Sequence, residues 1–194
     1  IPLLNPAGYE IYEKDFFAIR NPINRQMLRM QEIPCKEFVG NSRGIDLRKN
    51  FPTQYYRRKQ VHSQPASENE TKALVKVFQE NSGRGLLSFG YSERRIVYFR
   101  QSQSFAANQK SYRLARHLQR QAGLNADKRK YHLDDVEPTG RRGYGSPEQF
   151  YAEICRQPSF RIEIPYSNRE DLAVPDQAEY KEIHTLPLEY LFSL

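Results

Sequence analysis

Apolar positions recur with a helical period in three stretches of the chain. Ala73, Leu74, Val77 and Phe78 form one stripe. It follows Ser67-Glu68-Asn69-Glu70, a capping-box pattern, and ends before Gly83, which predicts a helix over 68–82. Ala107, Leu114, Ala115, Leu118 and Ala122 fall within one arc of about 100° at helical spacing. With Ser104 as cap and Gly123 as stop, they predict a helix over 105–122. Phe150, Tyr151, Ile154 and Cys155 form the third stripe, after Ser146 as cap and Pro147 at the first helical position. Beyond Pro158, residues 160–164 alternate apolar and charged and read as a short strand. Residues 86–91 and 95–101, separated by Ser92-Glu93-Arg94, read as a hairpin. A helical reading of 92–101 stays open, because Gly and Pro are absent there.

Elsewhere the periodicity is weak. Pro2, Pro6, Pro22, Pro34, Pro52 and Pro65 interrupt residues 1–66, where only 23–31, after Asn21-Pro22, reads as helix. The remainder of that segment reads as an extended arm with anchors such as Phe16, Phe38, Phe51, Tyr55 and Tyr56. Residues 165–194 read as an acidic tail ending in an apolar run at 186–192. These patterns predict a mainly α fold: a small helical core with one short β-hairpin and long extended arms. The divisions are an N-terminal arm at 1–66, a core at 67–164 and a tail at 165–194.

Charge sharpens this picture. The net charge is +7. Residues 84–130 alone hold 11 basic and 2 acidic residues, more positive than the whole chain. Such concentration reads as the footprint of an acidic partner. On the predicted 105–122 helix, Lys110, Arg113, Arg116, His117 and Arg120 form a basic ridge opposite the apolar stripe. Arg57, Arg58, Arg94, Arg95, Arg141, Arg142 and Tyr144 are further candidate contacts, since arginine and tyrosine dominate protein interfaces.

Catalytic chemistry is poorly signalled. His62, His117, His132 and His184 have no neighbours at ligand spacing, so no metal site is predicted. Asp134 and Asp135 are adjacent and read as loop rather than as an acid–base pair. No phosphate-cradling loop or nucleophile elbow is present, and the reading is non-enzymatic. No apolar run approaches the ~20 residues of a membrane-spanning helix. The two cysteines, Cys35 and Cys155, lie too far apart in sequence for a metal or disulfide motif and read as core or bystander thiols, with single-thiol attachment of a chromophore as the sharper alternative.

The opening residues 1–11 (IPLLNPAGYEI) resemble the start of phycobilisome rod–core linkers, and Glu37-Phe38-Val39 is similar to a stretch of the linker domain. The resemblance implies a structural linker threaded through acidic phycobiliprotein hexamers in a light-harvesting assembly, at the thylakoid surface of a plastid or cyanobacterium. The absence of a starting methionine would then fit a removed transit peptide. The related phycoerythrin γ class implies a covalently bound bilin, phycoerythrobilin or phycourobilin, on Cys35 or Cys155. The alternative is an RNA-binding protein such as an organellar ribosomal protein, which would use the same basic block.

Overall fold

The computed structural model describes residues 5–53, 64–81, 83–102, 104–125, 131–137 and 145–165. Its centre is a four-stranded mixed sheet in the order β1-β4-β2-β3. The strands are β1 (Leu86–Ser92), β2 (Arg95–Phe99), β3 (His132–Val136) and β4 (Ser159–Pro165). β1 pairs with β4 in parallel, β4 with β2 antiparallel, and β2 with β3 in parallel.

Strand β4 explains this arrangement. Phe160, Ile162 and Ile164 are fully buried, and successive side chains of a strand point to opposite faces. Their face packs with Ile96 of β2 and with Leu114, Ala115 and Leu118 of α4 (Phe105–Asn125). The intervening Arg161 and Glu163 turn to the other face, where they meet Val97 and Arg95 of β2 across the ladder. Gly90 of β1 pairs with Glu163, and a Cβ there would lie 3.4 Å from Arg161 Cδ, so glycine leaves room for the charged row.

The expected hairpin is therefore not formed. β4 inserts between β1 and β2, because its alternate apolar residues are buried only when both of its edges are paired. Asp134 and Asp135, expected in a loop, lie in β3.

The N-terminal segment is not an extended arm over its described part. It folds into α1 (Pro6–Lys14), a 3-10 turn at Phe16–Ala18, α2 (Pro22–Arg29) and a second 3-10 turn at Leu47–Lys49. Ile11, Phe16, Ile19 and Leu28 form its own small core, closed by the edge-on contact of Phe16 with Phe38 at 5.3 Å. The prolines interrupt helices but also begin them: Asn5 caps α1, and Asn21 accepts the amides of Ile23 (2.9 Å) and Asn24 (3.2 Å) at the start of α2.

Helix α3 (Asn69–Glu80) forms close to its expected place, but without the capping box. Ser67 Oγ instead donates to Glu68 Oε1 at 2.7 Å. The Glu68 carboxylate also accepts Asn41 Nδ2 at 2.7 Å, which ties α3 to the N-terminal segment. Helix α4 runs through Gly123 to Asn125, and Ser104 caps it by accepting the Ala107 amide at 3.1 Å. Helix α5 (Pro147–Ile154) is capped by Ser146, as its sequence predicts. Phe51, Phe78, Phe150 and Tyr151 bring the N-terminal segment, α3 and α5 together in a second aromatic core. The molecule is thus an α/β fold around a four-stranded mixed sheet, and the expectation of a mainly α core with extended arms is corrected.

Candidate functional site

The sheet face opposite α4 carries most of the buried charge. A cleft of about 440 Å3 opens there, lined by Arg48, Lys49, Asp134, Ser146, Arg95, Glu163 and Arg161 over an apolar floor of Val97, Phe99 and Val136. Strand alternation alone places Arg95, Asp134, Arg161 and Glu163 on this face.

The rim is built by the second 3-10 turn. Asp46 is its cap, accepting the Arg48 amide at 3.0 Å. The Asp46 side chain is only 5% exposed, and its two oxygens take Arg48 Nε at 3.0 Å and Nη2 at 3.1 Å. Lys49 Nζ stands 3.5 Å from the same carboxylate. The cationic side chains themselves lie outward, Arg48 60% and Lys49 48% exposed. A buried carboxylate therefore holds two exposed cations at the mouth of the cleft.

Beside this apolar floor runs an ordered row of ion pairs. Arg161 binds Glu148 of α5 in a bidentate pair, Nε to Oε1 at 3.0 Å and Nη2 to Oε2 at 2.7 Å. Ser88 Oγ of β1 donates to the same Oε1. Burial pushes the Glu148 carboxyl up, but the Arg161 charge and these hydrogen bonds outweigh it and hold the group below its ordinary value. Burial works against the Arg161 charge too, and the opposing carboxylates of Glu148, Glu163 and Asp46 raise its pKa. Arg95 donates to Glu163 Oε2 through Nε at 2.8 Å and Nη2 at 2.6 Å, and its Nη1 reaches Asp134 Oδ2 at 3.4 Å.

Of the candidate contacts predicted from sequence, Arg95 alone among the described residues lines this cleft. The ridge of Lys110, Arg113, Arg116, His117 and Arg120 lies on the far side of the sheet, where it lines a separate hollow of about 630 Å3 along α4. Arg94 sits at the β1–β2 turn, where its carbonyl accepts the His132 amide at 2.8 Å. Arg57, Arg58, Arg141, Arg142 and Tyr144 lie outside the described residues. Cys35 is half-buried and donates to Asp15 Oδ1 at 2.7 Å; burial and that bond push its thiol up. Burial likewise raises the Cys155 thiol. Neither thiol lines the two cavities above.

Sequence reasoning missed Asp46, Arg48, Lys49, Glu148, Arg161 and Glu163. Two signals were available: the run Asp46-Leu47-Arg48-Lys49, and the charged residues alternating with buried apolar ones in 160–164.

A model of the zinc carboxypeptidase family matches residues 1–164. Among solved structures, the chain resembles carboxypeptidase A from Helicoverpa armigera, with a TM-score of 0.66 and 14% identity, over 100% of this chain and 51% of that one. It also resembles bovine thrombin-activatable fibrinolysis inhibitor in complex with tick carboxypeptidase inhibitor, with a TM-score of 0.56 and 16% identity, over 77% of this chain and 54% of that one. A further structure of thrombin-activatable fibrinolysis inhibitor gives a TM-score of 0.59 and 17% identity, over 77% and 41%. No curated protein is matched by the chain.

These findings correct the linker reading and everything that hung on it. The chain is not a phycobilisome linker, and nothing supports a bilin cofactor, phycobiliprotein hexamers or nucleic acid as partners. The non-enzymatic reading is corrected with them, because the matching family is one of peptidases. The resemblance rested on short, unspecific runs, while the basic block contained cations with partners inside the fold, such as Arg95.

The family's description implies zinc, and the described residues do not fit it. Among them no group of three His, Cys, Asp or Glu side chains converges. His117 lines the hollow along α4, on the other side of the sheet from the cleft, and the cleft carboxylates Asp134 and Glu163 face Arg95. The match over residues 1–164 and the mixed α/β sheet agree on one assignment: the chain belongs to the zinc carboxypeptidase family, and it spans about half the length of the solved relatives it resembles.

Proposed function

We propose that the cleft binds the free C-terminal end of a peptide, as the peptide-binding site of a carboxypeptidase-type protein. Arg48 and Lys49 receive the terminal carboxylate, and the floor of Val97, Phe99 and Val136 accepts the terminal side chain. One observation carries this reading: two adjacent exposed cations, fixed by the buried Asp46, stand over an apolar-floored cleft in a chain of this family. Arg48 uses Nε and Nη2 on Asp46, and a guanidinium has five N–H donors, so donors on Arg48 remain to meet a second carboxylate.

The charge balance favours a singly charged ligand. The cations Arg48, Lys49, Arg95 and Arg161 are matched by Asp46, Asp134, Glu148 and Glu163. A ligand with several negative charges would be repelled by these carboxylates, whereas one terminal carboxylate at the rim meets the two outward cations first. Removal of the terminal residue is the reaction the family name describes. The described residues of this chain bind and orient the peptide for it.

Arg48→Gln and Lys49→Gln test the assignment. Each should weaken binding of a free-acid peptide about tenfold, the worth of a hydrogen bond to a charged group, measured at a temperature where the variant is folded, because the buried Asp46 loses a partner and stability falls as well. Calorimetric titration reads the affinity, and release of the terminal amino acid is followed in the same samples. Unchanged affinity in the double variant would remove the rim from the site.

A further inference from the structure

Charges run along the cleft in a single row, anchored behind it on Glu148: Glu148, Arg161, Glu163, Arg95, Asp134. Every carboxylate oxygen in this row is engaged within the fold. Glu148 Oε1 takes Arg161 Nε and Ser88 Oγ, and its Oε2 takes Arg161 Nη2. Glu163 Oε2 takes two N–H groups of Arg95, and its Oε1 lies 3.9 Å from Arg161 Nη1. Asp134 Oδ2 faces Arg95 Nη1, and its Oδ1 accepts the Asp135 amide at 2.9 Å.

A divalent cation in the cleft would need these oxygens. It would have to displace a guanidinium from them, or sit beside one at low dielectric, where like charges repel strongly. The guanidinium has the geometric advantage as well, since its planar fork already matches both carboxylates. We infer that Arg95 is the resident cation of this cleft: it holds Asp134 and Glu163 in the way a metal would, and the row takes up no divalent ion.

The test uses the full chain and zinc alone, with no peptide, so that its failure is separable from failure of the peptide reading. Zinc is titrated calorimetrically into the chelator-treated wild type, Asp134→Asn and Glu163→Gln. The row takes no part in metal binding if any zinc affinity measured is the same in all three. A loss of about tenfold or more in either variant overturns the inference. Melting temperature with and without zinc gives the second readout. Arg95→Gln frees the two carboxylates, so added zinc should raise the melting temperature of that variant more than that of the wild type. An equal rise in the wild type would contradict the proposal, and the titration decides alone if Arg95→Gln does not fold.

Discussion

Arg161→Met lowers the stability of the fold by about 3–5 kcal/mol, the cost of breaking a buried ion pair from one side. The Glu148 side chain is only 3% exposed, and both of its oxygens rest on Arg161. Removing the guanidinium leaves a desolvated carboxylate that still accepts Ser88 Oγ but has lost its counter-charge. The double change Glu148→Leu with Arg161→Met should recover much of the loss, because it removes both charges and fills the space with apolar atoms. Chemical denaturation of the wild type, the single variant and the double variant measures this directly.

The same pair fixes a pH dependence. In the wild type Glu148 is held below its ordinary value, so its contribution is complete above the ordinary carboxylate range and is lost as pH falls through the folded value. In Arg161→Met the charge that opposed burial is gone, so burial raises the Glu148 carboxyl against the Ser88 hydrogen bond, and that variant gains stability from acid where the wild type loses it. The stability gap between the two should narrow as pH falls. A gap independent of pH would show that the pair is not the origin of the loss.

Phe51→Ala is expected to cost about 3–5 kcal/mol, the range for emptying a buried phenylalanine site. The ring is wholly buried and lies 6.5 Å from Phe78 and 6.0 Å from Phe150. Its amide donates to the Gly145 carbonyl at 2.8 Å, which joins the N-terminal segment to the start of α5. Arg48 and Lys49 lie just upstream, so the loss should reach the rim of the cleft and weaken peptide binding beyond the loss of folded protein. Val77→Ala on the exposed side of α3 should change stability by no more than about 0.5 kcal/mol and serves as the comparison. Similar effects at the two positions would contradict the aromatic core described here.

The parts of this structure that could be read from sequence are those decided locally. Asn21-Pro22, Ser104 and Ser146-Pro147 mark helix starts through backbone amides a few residues away, and each does so in the fold. The parts that could not be read depend on distant partners. A helix as short as α1 has little stability of its own; the contacts of Ile11 with Phe16, Ile19 and Leu28 hold it, so the segment around it looked extended. Nothing near 86–99 indicates that a strand some 60 residues later will separate its two halves.

Charge misled for the same reason. Arg95 and Arg100 counted toward a partner-binding block, yet Arg95 pairs with Glu163 and Arg100 with Asp135 and Glu137, residues far along the chain. Neighbouring Asp134 and Asp135 looked like a loop because they are adjacent and acidic. In a strand adjacency sends them to opposite faces, where each finds its own arginine. Net charge along a sequence counts cations without showing which are already neutralised.

The central claim is that the cleft recognises the free carboxylate at the end of a peptide. It is tested most directly by titrating the full chain with one peptide prepared both as the free acid and as the C-terminal amide. The account predicts about tenfold or greater weakening for the amide, since it removes the charge that Arg48 and Lys49 face. Equal affinity for the two forms, or no binding of either, would contradict it.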